Sequence, residues 1–297
     1  MYHNPVLLKK SITDLVTTPD GTYVDCTFGG GGHSREILNH LSADGRLFSF
    51  DQDLDALNNT IDDPRFTLIN QNFRFLENSL QMYGVTQVDG ILADLGVSSH
   101  QFDAAERGFS TRSEAPLDMR MNVMQNLDAR RVVNEYEEEA LADLFYYYGE
   151  LREARRLARE LVSWRKNKPV KTTNDLKEVF AYIPQFKQNK VYAQIFQAIR
   201  IEVNQELDAL KDMLLQSYKI LKPGGRLTVI SYHSLEDRLV KRFLKNGMFE
   251  GEPERDVYGN YPKAFTLLQS KAVIPTDEEI AENPRARSAK MRTGTKV

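Results

Sequence analysis

A run of glycines between residues 25 and 34 has the composition of a site for an adenosine-containing ligand. Asp25 ends a strand-like segment, glycines occupy positions 29–32, and a helix-like segment begins at Ser34. Glycines let the chain turn sharply and let a ligand approach the N–H groups of the loop. Asp51 follows at the end of the second strand-like segment, where a carboxylate can accept both hydroxyls of an adenosine ribose. This pattern favours a cofactor site over a flexible turn beside a surface acid.

The position of Asp25 bears on the identity of that cofactor. A nicotinamide fingerprint would read G-x-G-x-x-G and would bring a pyrophosphate close to the loop, where a carboxylate is unfavourable. S-adenosylmethionine instead carries a sulfonium and an ammonium group, which a carboxylate stabilises. Asp25 therefore favours S-adenosylmethionine. Two alternatives stay open: a capping role for Asp25, and a nicotinamide-dependent dehydrogenase, which binding titrations with each cofactor would distinguish.

A second polar segment, residues 94–101 (DLGVSSHQ), follows the fourth strand-like segment. Ligands of open parallel sheets bind outside the carboxyl ends of the strands. Methyl transfer to an exocyclic amine needs hydrogen-bond acceptors that hold the NH2 group and offset the positive charge that develops on nitrogen. Asp94, a neighbouring backbone carbonyl, Ser98 or Ser99 would serve. Helix capping is the alternative for the two serines.

A third polar segment begins at Tyr232, after the strand-like residues 226–231. His233 and Ser234 are candidates for contact with the substrate, and structural hydrogen bonding is the alternative for His233. Cys26 lies in the first strand and is assigned no nucleophilic role. The five histidines and one cysteine show neither H-E-x-x-H nor C-x-x-C spacing, so no metal is expected.

Alternating strands and helices must position these segments. Continuous apolar runs predict buried strands joined by right-handed βαβ units, hence an α/β fold with a mostly parallel sheet. The predicted strands are Thr22–Thr27, Arg46–Phe50, Arg65–Ile69, Val88–Ala93, Arg226–Ser231, Phe265–Leu268 and Lys290–Thr293. The predicted helices between them are Ser34–Leu41, Leu54–Thr60, Phe75–Tyr83, Leu207–Leu221 and Ser234–Lys245. Pro223–Gly225 is predicted as a turn and Asn246–Pro262 as a loop.

Residues 103–204 interrupt this alternation. They show no strand-like run and four segments of helical periodicity: Glu137–Tyr148, Leu151–Trp164, Asn174–Ala181 and Val191–Ile199. We therefore expect residues 1–102 and 205–297 to form one α/β domain, with an all-helical domain inserted at residues 103–204.

The overall charge excludes a uniformly basic nucleic-acid binder, because 39 Lys and Arg stand against 42 Asp and Glu. Two zones are nevertheless basic: residues 151–200 carry 12 basic and 4 acidic side chains, and residues 283–297 carry five basic and no acidic ones. The first zone predicts one helix with an arginine face (Arg152, Arg155, Arg156, Arg159) and a core face (Leu151, Ala154, Leu157, Leu161, Trp164). Two such zones suggest a surface that binds the phosphate backbone of a nucleic acid. A solvated helix with pairs such as Glu153–Arg156 is the alternative.

Composition also bears on the compartment. One cysteine allows no intrachain disulfide, which fits a reducing environment. No apolar run is long enough for a membrane-spanning helix, and Val6–Leu8 is too short for a signal sequence. A cytoplasmic protein is expected.

The motifs together resemble a known family. Eight blocks, in order from one end of the chain to the other, carry the resemblance: HNPVLL (3–8), TFGGGGHS (27–34), DGILADLGVSS (89–99), AERGFS (105–110), PLDMRM (116–121), FQAIRI (196–201), SYHSLEDR (231–238) and ENPRARS (282–288). The sequence is similar in these blocks to the bacterial ribosomal RNA small subunit methyltransferase H family. Two residues depart from the expected pattern: Gly30 stands where many relatives carry a basic residue, and Tyr232 stands where phenylalanine is expected.

The resemblance implies a class I, Rossmann-like fold of S-adenosylmethionine-dependent methyltransferases with an inserted helical domain for substrate recognition. It implies methylation of N4 of a decoding-region cytidine in 16S rRNA, and we expect direct SN2 transfer. The RNA partner is 16S rRNA, expected within the small ribosomal subunit. By position, the family's cofactor contacts fall on Gly31, Gly32, His33, Asp51, Phe73, Asp94 and Gln101. A non-catalytic ribosome assembly factor is a second rival, which the intact glycine loop, Asp51 and Asp94 disfavour.

Overall fold

The computed structural model describes residues 5–256, 258 and 261–297, without the side chain of Ser99. His3 and Asn4 of the first motif, and positions 257 and 259–260 of the predicted loop, lie outside the described residues. The chain divides into two compact units, one formed by the chain up to Gly96 with Leu207–Val297, the other by Val97–Glu206. The first unit contains the sheet and the second is built from helices.

The described residues of the first unit form a seven-stranded sheet with the order β3-β2-β1-β4-β5-β7-β6. Its strands are β1 Thr22–Asp25, β2 Arg46–Phe50, β3 Phe66–Ile69, β4 Val88–Asp94, β5 Leu221–Ser231, β6 Phe265–Leu267 and β7 Lys290–Lys296. Strands β1 to β5 pair in parallel, whereas β7 runs antiparallel to both β5 and β6. The predicted α/β class with a mostly parallel sheet is confirmed.

The parallel strands bring polar side chains to one edge of the sheet. Asp25 ends β1, Asp51 follows β2, and Asp94 ends β4. The register pairs Asp94 with Ile230, so Tyr232 leaves β5 at the same edge. Apolar residues fill the strands behind these positions, because helices cover both faces of such a sheet.

Twelve α-helices occur in the described residues, together with short 3-10 helices. They are α1 Leu8–Leu15, α2 Gly32–His40, α3 Leu76–Met82, α4 Ser99–Asp103, α5 Ala129–Glu135, α6 Glu138–Tyr147, α7 Ala154–Arg165, α8 Thr173–Val179, α9 Gln185–Asn204, α10 Glu206–Ile220, α11 Ser234–Asn246 and α12 Asp277–Glu282. Helices α1, α4, α5 and α12 have no counterpart among the predicted ones. No helix in the part of the chain described here is long and apolar enough to cross a membrane.

Two predicted helices differ in type or extent. Leu54–Thr60 is not an α-helix but a 3-10 helix over Leu54–Asn59, since its Asp and Asn side chains compete for backbone hydrogen bonds. The helix predicted at Val191–Ile199 runs over Gln185–Asn204. Its first turns are polar and lack apolar periodicity, but Gln and Lys are good helix formers.

The predicted turn at Pro223–Gly225 lies inside β5. Leu221 pairs with Val88 before this segment and Arg226 pairs with Gly90 after it, with an irregular register between them. The chain therefore makes its tight turn as a bulge within the strand, and helix α10 ends at Ile220 rather than Leu221.

The second unit has its own apolar core, to which α7 contributes the predicted core face. Leu151, Ala154, Leu157 and Leu161 are buried, and Trp164 is partly buried against them. The prediction that four arginines share one face of this helix is wrong for Arg152. Arg152 precedes α7, which begins only at Ala154.

Candidate active site

The glycine loop joins β1 to α2 in a conformation that requires glycine. Gly31 has φ +75° and forms the N-cap of α2. A side chain there would place Cβ 2.9 Å from the ring of Phe28, and one on Gly32 would place it 2.2 Å from Pro5. Any larger residue would displace these neighbours, so the close packing of the loop requires glycine at both positions.

Asp51 is held beside this loop by two backbone amides. Gly29 N–H donates to Oδ2 at 2.8 Å, and Asp53 N–H donates to Oδ1 at 2.9 Å. Burial raises the pKa of Asp51 to about 6, against the lowering effect of these amides. A carboxylate offers about four lone-pair positions, so about two remain for the hydroxyls of a ribose.

The segment after β3 is tied to the same place. Asn70 donates from Nδ2 to the backbone carbonyl of Asp51 at 2.9 Å. Phe73 then begins a 3-10 helix and packs, half-buried, against the core of the sheet. The structure therefore brings the predicted apolar wall, Phe73, to the strand end that neighbours Asp51.

Asp25 has a structural role, but not the capping role that was its alternative, because α2 has no side-chain cap. It is fully buried, and its carboxylate accepts hydrogen bonds from Ser34 Oγ at 2.6 Å and from Thr27 N–H at 3.0 Å. Ser34 also contacts Ser49 Oγ at 2.8 Å, which links β1, β2 and α2. Asp25 thus fixes the loop, and its negative charge raises the pKa values of Asp51 and Asp94 as a minor contribution.

Asp94 is held by side chains at the end of β4. Tyr232 donates from its hydroxyl to Oδ1 at 2.8 Å, and His33 Nδ1 lies 3.7 Å from Oδ2. Burial raises the pKa of Asp94 to about 6, although His33 and Tyr232 both lower it. Burial also raises the pKa of Tyr232 well above its usual value, so the phenol remains a donor. Asp94 is therefore ionised at neutral pH and about one-fifth exposed, at 21%.

The predicted cofactor contact His33 is buried between Asp94 and the N-terminal segment. Its Nε2 lies 3.1 Å from the carbonyl oxygen of Val6. Because a carbonyl only accepts, Nε2 carries a hydrogen, and in a neutral ring Nδ1 then turns a lone pair toward Asp94. His33 therefore links α2 to the segment that precedes α1.

Comparisons with known proteins identify the family of the chain. The family model described as the MraW methylase family matches residues 1–297. The chain belongs to this family. A curated relative from Flavobacterium johnsoniae, named ribosomal RNA small subunit methyltransferase H, is 62% identical over 100% of this chain and 98% of its own length. A second relative of the same name, from Christiangramia forsetii, is 59% identical over 100% of this chain and 98% of its own.

A solved structure is also similar to the chain. It is that of a putative methyltransferase from Streptococcus mutans in complex with SAH, with 13% identity and a TM-score of 0.40 over 97% of this chain and 94% of that one. The class I methyltransferase fold and the cofactor S-adenosylmethionine, both implied by the resemblance, are confirmed for this MraW methylase. The dehydrogenase alternative is thereby set aside.

The serine segment of this MraW methylase belongs to the second unit and caps α4. Ser98 Oγ accepts from Gln101 N–H at 3.1 Å, and Gln101 Oε1 accepts from Ser98 N–H at 3.1 Å. The capping alternative therefore describes Ser98, and buried Gln101 is its partner. Ser99 begins α4, and its side chain lies outside the described part of the structure.

His233 likewise caps a helix, as the alternative had it. Glu236 N–H faces Nδ1 at 3.5 Å, and Glu236 Oε1 lies 3.2 Å from Nε2. Glu236 also accepts from Tyr232 N–H at 2.9 Å, so it fixes the turn that carries Tyr232. Ser234, the first residue of α11, is exposed.

Tyr232 is the functional residue of this MraW methylase that the sequence did not predict. It was noted only as a departure from the expected phenylalanine, yet its hydroxyl is the hydrogen-bond donor nearest to the candidate catalytic acid. That substitution was the available signal, because an added hydroxyl in a buried position needs a partner.

Proposed function

We propose that this chain methylates N4 of a decoding-centre cytidine in 16S rRNA, with S-adenosylmethionine as the methyl donor and direct SN2 transfer. One observation carries the proposal: the carboxylate of Asp94 stands between Tyr232 and His33 at the sheet edge that also holds the glycine loop and Asp51. The curated names of its relatives support ribosomal RNA of the small subunit as the substrate class.

The first unit would hold the cofactor through residues that its geometry suits. Gly31 and Gly32 would let the backbone of the tight loop approach the cofactor, and Asp51 retains lone pairs for the ribose hydroxyls. Phe73 offers an apolar wall for adenine. His33 and Gln101 remain proposed contacts by position, as does Asp94. When bound, S-adenosylmethionine supplies an electrophilic methyl group.

Asp94 would act on the substrate amine. The lone pair of cytosine N4 is delocalised into the ring, so the amine must be held and oriented before it is a nucleophile. An ionised Asp94 accepts a hydrogen bond from the NH2 group and stabilises the positive charge that develops on nitrogen. It then takes the proton that N4 loses once the new N–C bond has formed. Tyr232 keeps the carboxylate in place for both tasks.

The target base must leave its stack to reach this edge of the sheet. Ser98, Ser99, His233 and Ser234 remain proposed contacts for it, in addition to their structural roles. We assign substrate recognition to the helical residues 103–204, whose α7 carries exposed arginines. The substrate is 16S rRNA within the small ribosomal subunit, so the reaction belongs to the cytoplasm, where subunits assemble.

Mass analysis of 16S rRNA nucleosides from cells with and without the protein tests this function. We expect N4-methylated cytidine to disappear from decoding-region fragments when the gene is deleted. A plasmid copy should restore it, and a copy carrying Asp94→Asn should not. An unchanged nucleoside profile after deletion, or loss of a methyl group from a different atom, would contradict the proposal.

A further inference from the structure

A pocket of about 270 Å³ lies beside the turn that follows β5, in the first unit. Its apolar lining residues are Tyr232, Ile274, Pro275, Ile280 and Ala289. Tyr232 lines this pocket and also donates its hydroxyl to Asp94 at 2.8 Å. The pocket thus shares a residue with the candidate active site.

The rest of the lining is polar and includes two cations. His233, Ser234, Arg287, Ser288 and Lys290 line the pocket, and none of its lining residues is acidic. Arg287 is exposed and makes no ion pair within the described residues. Both cations come from the basic zone at residues 283–297, which the proposed mechanism does not use.

The acidic groups near the pocket are already engaged. Asp237 lies 3.6 Å from Lys290 but accepts a closer bond, 2.7 Å, from Arg292. Helix α12 is acidic, yet it contributes only Ile280 to the pocket, and its Glu279 accepts from Leu7 N–H at 2.6 Å. The field inside the pocket is therefore set by Arg287 and Lys290.

Apolar residues that include an aromatic one, together with two cations, match the two halves of a nucleotide. Bases stack on aromatic and apolar surfaces, and phosphates bind Arg and Lys. The volume of about 270 Å³ is close to the lower end of the roughly 300–1,000 Å³ of small-molecule pockets, which suits one nucleotide rather than several. A simple anion would leave the apolar wall unused, and an apolar ligand would leave the two cations unused.

We propose that this pocket binds one nucleotide of the RNA strand, adjacent to the nucleotide that is methylated. Its base packs against Tyr232, Pro275 and Ile280, and its phosphate binds Arg287 and Lys290. Asp94 does not line the pocket, so the base inside it is a neighbour of the target rather than the target itself. The assignment rests on the proposed function for the identity of the strand.

Ligand-observed NMR titrations of the protein saturated with S-adenosylhomocysteine test the pocket without any turnover. The probes are cytidine 5′-monophosphate and cytidine. We expect the nucleotide to bind about tenfold more tightly than the nucleoside, because a charge-assisted bond to the phosphate is worth about 1.5–3 kcal/mol. Arg287→Gln should abolish that difference. Ser288→Trp should block both probes, because it fills the mouth of the pocket without changing its charge.

Lys241→Gln is the matched control, since Lys241 is an exposed cation on α11 that does not line the pocket. Equal affinity for the two probes in the wild type, no binding of either, or an undiminished difference in Arg287→Gln would overturn the proposal. Transfer assays with small subunits separate it from the proposed function. If subunits are methylated equally well by Ser288→Trp, the pocket assignment fails and the function stands. If the probes bind as expected but no subunit is methylated, the function fails and the pocket stands.

Discussion

Asp51 follows β2 and Asp94 ends β4, at one edge of the sheet with β1 between the two strands, and burial raises the pKa of each to about 6. Their partners differ. Asp51 accepts from the backbone amides of Gly29 and Asp53, whereas Asp94 accepts from a side-chain hydroxyl, that of Tyr232. A carboxylate held by the main chain has a fixed position and suits the binding of a constant cofactor. When side chains hold a carboxylate, substitution of those side chains can change its pKa. This suits a carboxylate that must accept a proton during the reaction.

The largest effect should come from Asp94→Asn. The amide keeps the shape of the side chain but cannot accept a proton or offset the charge on N4. We expect the single-turnover rate of methyl transfer at saturating cofactor to fall at least about 100-fold, as for loss of a general base. A rate near that of the wild type would confine Asp94 to cofactor binding.

Asp51→Ala should weaken cofactor binding and spare the chemical step. A lost hydrogen bond to a charged group is worth about 1.5–3 kcal/mol, or roughly 10- to 150-fold in affinity. Calorimetric titration with S-adenosylmethionine measures the change. Asp55→Ala, which removes an exposed acid from the 3-10 helix that follows Asp51, is the control and should bind as the wild type does. An unchanged dissociation constant for Asp51→Ala would exclude the ribose contact.

The same Asp94→Asn variant should be more stable than the wild type at neutral pH. The pKa of Asp94 is raised from 3.8 to about 6, so the native state binds a proton more readily than the unfolded state. The carboxylate therefore costs stability above about pH 6, and that cost fades as the pH falls toward 4. The difference corresponds to about 2–3 kcal/mol at pH 8. Urea unfolding at pH 8 and pH 4 measures it, and an equal difference at both pH values would contradict the burial argument.

Tyr232→Phe should shift the acid limb of the pH–rate profile of methyl transfer to higher pH. The hydroxyl stabilises the ionised form of Asp94, so its loss raises the pKa of Asp94 further above 6. We expect a shift of about one unit, equivalent to about 1.4 kcal/mol. The single-turnover rate would fall near pH 6 and change little at pH 8. A fall by the same factor at every pH would indicate a merely structural role for the hydroxyl.

The smallest effect is expected from the arginines of α7. Arg156 lies 3.3 Å from Glu153 and Arg159 lies 3.8 Å from Glu138, so two of the three helical arginines already have acidic neighbours. Replacing Arg155, Arg156 and Arg159 by Glu should still weaken subunit binding. The slope of log affinity against log salt should become shallower by about 0.7 per lost single-strand contact. An unchanged slope, with the helix intact by circular dichroism, would leave the basic C-terminal zone as the RNA-binding surface.

The contrast between Asp51 and Asp94 also shows how far sequence reasoning reaches. Both acids could be placed at strand ends, because the continuous apolar runs that precede them identify buried parallel strands. The backbone partners of Asp51 follow from the tight loop that Gly29 begins. The partner of Asp94 could not be found in this way, because Tyr232 lies 138 residues further along the chain and only the pairing of β4 with β5 brings the two together.

The sequence also could not decide the role of residue types that serve two purposes. Ser98 and His233 are types that both cap helices and contact substrates, and only the hydrogen bonds to Gln101 and Glu236 show the capping role. The start of α7 was misplaced for a local reason. Glu150 adopts a left-handed conformation with φ +51°, which breaks the helical periodicity and leaves Arg152 before the first turn.

The most direct measurement is methylation of purified small ribosomal subunits that lack the modification, with methyl-labelled S-adenosylmethionine and digestion of the 16S rRNA to nucleosides for mass analysis. With the wild-type protein, the label should appear in N4-methylcytidine of the decoding region and in no other nucleoside. With Asp94→Asn at saturating cofactor, it should be almost absent over the same time. Label on another atom, or equal labelling by the two proteins, would contradict the assignment of Asp94 to a cytidine amine.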